Sequence, residues 1–286
     1  MLREIRDLGF DYAELSHGTR ISLLPGILDA VSAGEIKIST LHNFCPLPMG
    51  VNHSAPNLYQ FSDERPRQRE LAERYTLKTI EFAVRVKASL VVLHVGSIEM
   101  KSYTDKLVEM VGRDEKETSK YKKLCAELDK KREAAKETHW QHTIVALKKI
   151  IPAAEAAGLK LGVENRESLE ELPIESDYRE LFREIPSPNL AYWHDTGHAQ
   201  IKENLGFLHH PSHLESLQDR LYGFHIHDVQ PPGRDHCIPG TGMIQWATLR
   251  PYVQPRHLKV LELAPGLPTE AVQDGYAFIK SVWGPE

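Results

Sequence analysis

Seven short apolar runs rich in β-branched and aromatic residues punctuate this chain, at 10–17, 36–44, 90–97, 160–166, 189–198, 221–228 and 258–265. Between them lie longer stretches with helical periodicity, such as RQRELAERYTLKTIEFAVRVKA and HTIVALKKIIPAAEAAG, the second closed by a glycine cap at Gly158. Strand and helix alternating at a spacing of roughly 30 residues indicates parallel βαβ units, because a parallel neighbour is reached only through a crossover long enough to hold a helix. Most of the runs are apolar enough to be covered on both faces, which favours a (β/α)8 TIM barrel over an open sheet. A doubly wound sheet stays open as the alternative, since it does not require a Gly-rich dinucleotide fingerprint, and none is present. A single α/β barrel domain over 1–286 is expected.

Two irregularities stand out. The chain opens on a helical stretch, LREIRDLG, with Gly9 as its C-cap, where a barrel normally begins with a strand. The barrel is therefore expected to lack its first strand, through truncation or incomplete closure, with a gap where that strand would sit. Residues 104–142 form a highly charged helical segment longer than one βα unit needs. It reads as a solvated helix or helical hairpin, or alternatively as a lid or an arm holding a homo-oligomer together.

Composition narrows the function classes. With 41% hydrophobic residues and a net charge of −5, the chain can build a substantial core and has no clustered basic footprint. Nucleic acid is thus an improbable partner. No apolar run approaches the ~20 residues that cross a bilayer, and MLREIRDLGF has neither a signal peptide's apolar stretch nor a transit peptide's character. A cytoplasmic protein without a membrane partner is the expectation. Three cysteines, Cys45, Cys125 and Cys237, argue for a reducing compartment over a disulfide framework.

In a βα barrel the carboxyl ends of the strands converge on one face. Reading only those ends gives Glu14, His42, His94, Glu164, Asp195 with His198, His225 with His227, and Glu262. A carboxylate buried inside VLEL or GVEN is costly unless neutralised, and a divalent cation shared by several such groups neutralises them together. Glu, Asp, His and Glu from four successive strands suit Mn²⁺, Mg²⁺, Co²⁺ or Zn²⁺. His17, His53, His139, His142, His209, His210, His213 and His257 fall in helices or loops and are expected at the surface. His194 should point away from its neighbour Asp195, towards the helices.

The same residues resemble the xylose isomerase-like barrel superfamily, which includes ketohexose 3-epimerases, hydroxypyruvate isomerases, inosose dehydratases and endonuclease IV. The resemblance runs from the first helix to the end of the chain. VENR resembles the family's fifth-strand glutamate motif, HDTGHA its Asp-x-x-His motif, HIHD its seventh-strand motif and LELAP its eighth-strand glutamate. This implies Glu164, Asp195, His225 and Glu262 as ligands of a divalent metal, favouring His225 over His227, with His198 as a substrate or second-metal contact. His42, His94 and His236 match histidines that complete a multinuclear site in endonuclease IV. Two departures matter: Arg234 stands where the endonuclease pattern has Asp, and Pro231 where the epimerases have Arg.

The implied reaction is isomerisation or epimerisation of a sugar or sugar phosphate, by proton transfer at the carbon next to a carbonyl. Glu164, Glu262 and His198 are the expected catalytic residues: two carboxylates take and return the proton, and His198 hydrogen-bonds a substrate oxygen. Arg166, Arg234 and His227 are candidate substrate contacts, the arginines for a carboxylate or phosphate. The alternative is a multinuclear metal-dependent hydrolase or lyase of endonuclease IV or inosose dehydratase type.

Overall fold

A computed structural model describes residues 1–284. Seven parallel strands form one sheet in chain order: β1 (Tyr12–Leu15), β2 (Lys37–His42), β3 (Leu90–Leu93), β4 (Lys160–Glu164), β5 (Leu190–Asp195), β6 (Leu221–Ile226) and β7 (Leu258–Leu261). Helices follow most of them. This is the (β/α)8 barrel order one strand short, and no eighth parallel strand exists among the described residues. Each expected run supplies one strand. Two inner strands, β3 and β5, are dry on both faces, with every residue buried, as parallel strands covered by helices require. The two terminal strands are not: Tyr12 of β1 is 52% exposed, and all four residues of β7 are only half-buried.

The chain packs as two compact units, each built from segments discontinuous in sequence. The first comprises Met1–Ser97, Thr138–Glu164 and Arg179–Ala191. Its core gathers around β1 to β4, where Leu41, Leu90, Val91, Val92, Leu93, Leu161 and Val163 are fully buried. The second comprises Ile98–Glu137, Asn165–Tyr178 and Tyr192–Glu286. There β7 pairs in register with β6, Val260 opposite His225.

The charged segment forms helix Thr104–Gly112 and the start of a 38-residue helix, Ser119–Ala156, that runs through HTIVALKKIIPAAEA without a break. Lys, Glu and Ala dominate the junction and nothing interrupts the helical ladder until Pro152. The segment is not a wholly solvated arm. Tyr121 and Leu128 join Tyr103, Leu107, Met110, Ile201, Leu205 and Val229 in one apolar cluster. Arg132, 3% exposed, donates to Asp177 at 2.9 Å.

The surface assignment fails for four histidines. His139, His210, His213 and His257 are 2–6% exposed. Each spends a ring nitrogen on a partner: His139 on the Ser62 carbonyl, His210 on His194, His213 on Tyr192 and His257 on the Gln254 amide. His194 does turn to the helix side, where it meets His210 at 2.8 Å. Gly9 and Gly158 take positive φ beyond their helices, as caps do. All three cysteines are free.

Candidate functional site

In the first unit, β2, β3 and β4 deliver His42, His94 and Glu164 from their carboxyl ends, all nearly inaccessible. His42 Nδ1 lies 2.9 Å from the Asn43 carbonyl, which can only accept, so this nitrogen carries the ring's proton. His94 Nδ1 donates to Asn57 Oδ1 at 2.8 Å in the same way. The Nε2 lone pairs are then left 3.1 Å apart, at 3.7 Å (His42) and 2.7 Å (His94) from Glu164 Oε2. Three acceptors this close are held together only by a shared proton or a cation. Anchoring the far ring nitrogen of each histidine by an oxygen is the arrangement metal-binding imidazoles adopt. Glu14 accepts from Thr40 Oγ1 at 2.6 Å.

The second unit is organised by Asp195, fully buried at the end of β5. Its Oδ1 caps helix Thr196–Leu205 by accepting the His198 N–H at 2.7 Å. Its Oδ2 lies 3.9 Å from His225 Nδ1 and 3.0 Å from His227 Nε2. His225 Nδ1 is also 3.0 Å from Glu262 Oε2, so one imidazole nitrogen sits between two carboxylates. This mixed oxygen and nitrogen donor set fits a borderline divalent cation. Trp193 packs edge-on against the His225 ring with its own ring fully buried, and so serves as core.

The run HIHD therefore divides its labour. His225 turns its Nδ1 to the Asp195 and Glu262 carboxylates. His227 has both nitrogens committed: Nδ1 accepts the His236 N–H at 2.9 Å, which makes Nε2 the donor to Asp195. Asp228 ties down the following loop, accepting from the amides of Val229, Gly240 and Ile244 and from Trp246 Nε1 at 2.8–3.1 Å. Sequence reading missed this role, although the glycines of IPGTG were its trace: a Cβ at Gly242 would collide with the Asp228 carboxylate.

His236 lies flat on His227, with ring centroids 4.3 Å apart and planes 4° apart, and holds a left-handed φ of 51°. Burial opposes its protonation, but a hydrogen bond to Asp235 and the nearby Glu262 carboxylate outweigh burial and push its pKa up to about 9. His198 Nδ1 is 3.0 Å from the Asn165 carbonyl and 3.2 Å from the Arg166 guanidinium, whose Nε reaches Glu171 at 3.2 Å. Arg166 is 8% exposed, whereas Arg234 is exposed to solvent. Glu167, His198 and Asp235 also bring ligand atoms within 4.8 Å of one another. Nothing in the strand-end pattern singled out Glu167.

Fold and donor set together define a parallel α/β barrel with carboxylates and imidazoles gathered at its strand ends. The chain belongs to the xylose isomerase-like TIM barrel family, whose model matches residues 2–281. No curated protein sequence matches it. Among solved structures it is similar to 3-keto-D-glucoside 4-epimerase (YcjR) from E. coli, with 16% identity, 98% of this chain and 92% of that one covered, and a TM-score of 0.68. D-psicose 3-epimerase from Clostridium cellulolyticum H10, with D-tagatose, is 15% identical over 99% and 93% of the two chains, with a TM-score of 0.67. The IolI protein with a bound zinc atom is 16% identical over 99% and 91%, with a TM-score of 0.64.

Proposed function

We propose that this protein is a divalent-metal-dependent isomerase or epimerase of a sugar or sugar phosphate. The observation that carries the reading is His225 Nδ1 placed between the Asp195 and Glu262 carboxylates. Asp195, His225 and Glu262 hold the cation, and Glu164 of β4 completes the set. When bound, the cation lowers the energy of the negative charge that develops on the substrate's carbonyl oxygen. One carboxylate, Glu164 or Glu262, accepts the proton from the carbon next to that carbonyl, leaving the C–H electron pair in an enediolate. The other, protonated beforehand, gives its proton back to carbon, on the opposite face in epimerisation, so the two groups end with their protonation states exchanged. His198, anchored by the Asn165 carbonyl, hydrogen-bonds a substrate oxygen.

The test is incubation of the protein and Mn²⁺ with ketoses, aldoses, inososes and their phosphates in deuterated water. The reading requires deuterium at one carbon of one compound, lost in Glu164→Gln and Glu262→Gln. No incorporation across the panel would reject it.

A second reading, metal-dependent hydrolysis or lyase chemistry at more than one ion, is favoured by the convergent acceptors of His42, His94 and Glu164. Metal stoichiometry separates the two. One ion per chain supports isomerisation, and two or three support hydrolysis.

A further inference from the structure

Behind Asp195 lies a buried polar network that neither the proton transfer nor the cation requires directly. Asn165 spans the Asp195 peptide on both sides: its Oδ1 accepts the Asp195 N–H at 2.8 Å and its Nδ2 donates to the Asp195 carbonyl at 2.9 Å. Tyr192 Oη donates to that same Oδ1 at 3.0 Å. The tyrosine oxygen also meets His194 Nδ1 at 2.6 Å and His213 Nε2 at 2.7 Å. His194 Nε2 in turn meets His210 Nε2 at 2.8 Å. Asn165, Tyr192, His194 and Asp195 are all fully buried.

With a single proton on each imidazole, one pattern satisfies every contact. The Asp195 N–H fixes the amide of Asn165 with its oxygen towards Tyr192. Tyr192 has one hydroxyl proton and spends it on that oxygen, so both histidines must donate to Tyr192. His213 therefore carries its proton on Nε2 and His194 on Nδ1. The bare His194 Nε2 then accepts from His210 Nε2–H. The donors of His210, His194, His213 and Tyr192 thus lead in sequence to the Asn165 amide that holds the Asp195 peptide.

We infer that Asn165 is a positioning residue for Asp195, with its amide held in the working orientation by Tyr192 and by His194, His210 and His213 behind it. This rests on Asp195 being a ligand, as proposed above. Asp195 ends a strand and begins a helix, so the orientation of its peptide decides where its carboxylate projects. A backbone held through both its N–H and its C=O lets the carboxylate meet a cation without reorganising.

The test is Mn²⁺ titration calorimetry on folded, metal-stripped protein, with folding checked by circular dichroism. Outer-shell partners of this kind typically set metal affinity by roughly 10–100-fold. Asn165→Ala should weaken binding within that range, and Tyr192→Phe by a smaller factor. Tyr192→Phe should add nothing in the Asn165→Ala background, because it acts through that amide. Parental affinity in both single variants, with Asp195→Asn losing binding, overturns the positioning role alone. Parental affinity in Asp195→Asn overturns the ligand reading and this inference with it. Nitrogen-15 NMR of the parent reads the wiring without any substitution: His194 must be the Nδ1–H tautomer and His213 the Nε2–H tautomer, and the reverse at either ring refutes it.

Discussion

Replacing Asp228 by Asn changes almost no volume but breaks half of the knot that holds the 228–246 loop. The carboxylate accepts two N–H groups on each oxygen: Val229 and Ile244 on Oδ1, Gly240 and Trp246 Nε1 on Oδ2. An amide keeps one accepting oxygen and presents an NH₂ to the other two donors. Two charge-assisted hydrogen bonds are lost, each contributing about 1.5–3 kcal/mol. Water reaches the exposed part of the loop and recovers some of this, so the net cost should be about 3 kcal/mol, or roughly 6–12 °C in Tm. Thermal unfolding of metal-free parent and Asp228→Asn measures it directly. Because the same loop carries Asp235 and His236, the variant's amide exchange should also rise across 234–242. A Tm within about 2 °C of the parent, about 1 kcal/mol or less, would refute the view that Asp228 is a loop clamp.

Other expectations follow from the same geometry. Burial holds His210 down to about 3 and His213 to about 4, against ~6.5 in the unfolded chain. Below pH 6.5 the unfolded chain therefore takes up protons that the folded one refuses, and stability is lost progressively towards pH 4. At pH 5 each group should cost about 2 kcal/mol relative to pH 7.5, read as a falling urea midpoint whose slope is shallower in His213→Gln; an unchanged slope would remove these groups from the account. Gly197→Ala would drive a Cβ into the His227 ring, so it should weaken Mn²⁺ binding at Asp195 by at least about 10-fold; parental affinity on calorimetry would show that His227 does not hold that carboxylate. His42→Ala should leave a first Mn²⁺ bound and remove any second ion seen by metal analysis, and loss of the first would shift the principal site to the His42, His94 and Glu164 cluster.

How much of this was legible beforehand depends on the kind of signal each feature leaves. The strands announced themselves because a buried parallel strand must be continuously apolar, and β3 and β5 are dry throughout. The strand-end donors were legible because a carboxylate inside an apolar run has no other cheap explanation. The periodicity of HIHD could not rank His225 against His227, since residues two apart share a strand face; family resemblance favoured His225, and the structure shows His227 spent on Asp195 and His236. His210 and His213 were misread because their helix, His210–Leu217, is short and polar in sequence. Only tertiary partners, Tyr192 and His194, make those positions interior. The clamp by Asn165 leaves no periodic trace, because it depends on one side chain meeting one peptide across neighbouring strands.

The central claim is that one divalent cation is shared by Glu164, Asp195, His225 and Glu262. Crystals grown with Mn²⁺ and measured at the manganese absorption edge test it most directly. The account predicts one dominant anomalous peak, roughly 2.0–2.3 Å from a carboxylate oxygen of each of the three acids and from a His225 nitrogen. A dominant peak at His42 and His94 that touches none of Asp195, His225 and Glu262, or no peak at saturating Mn²⁺, would contradict it.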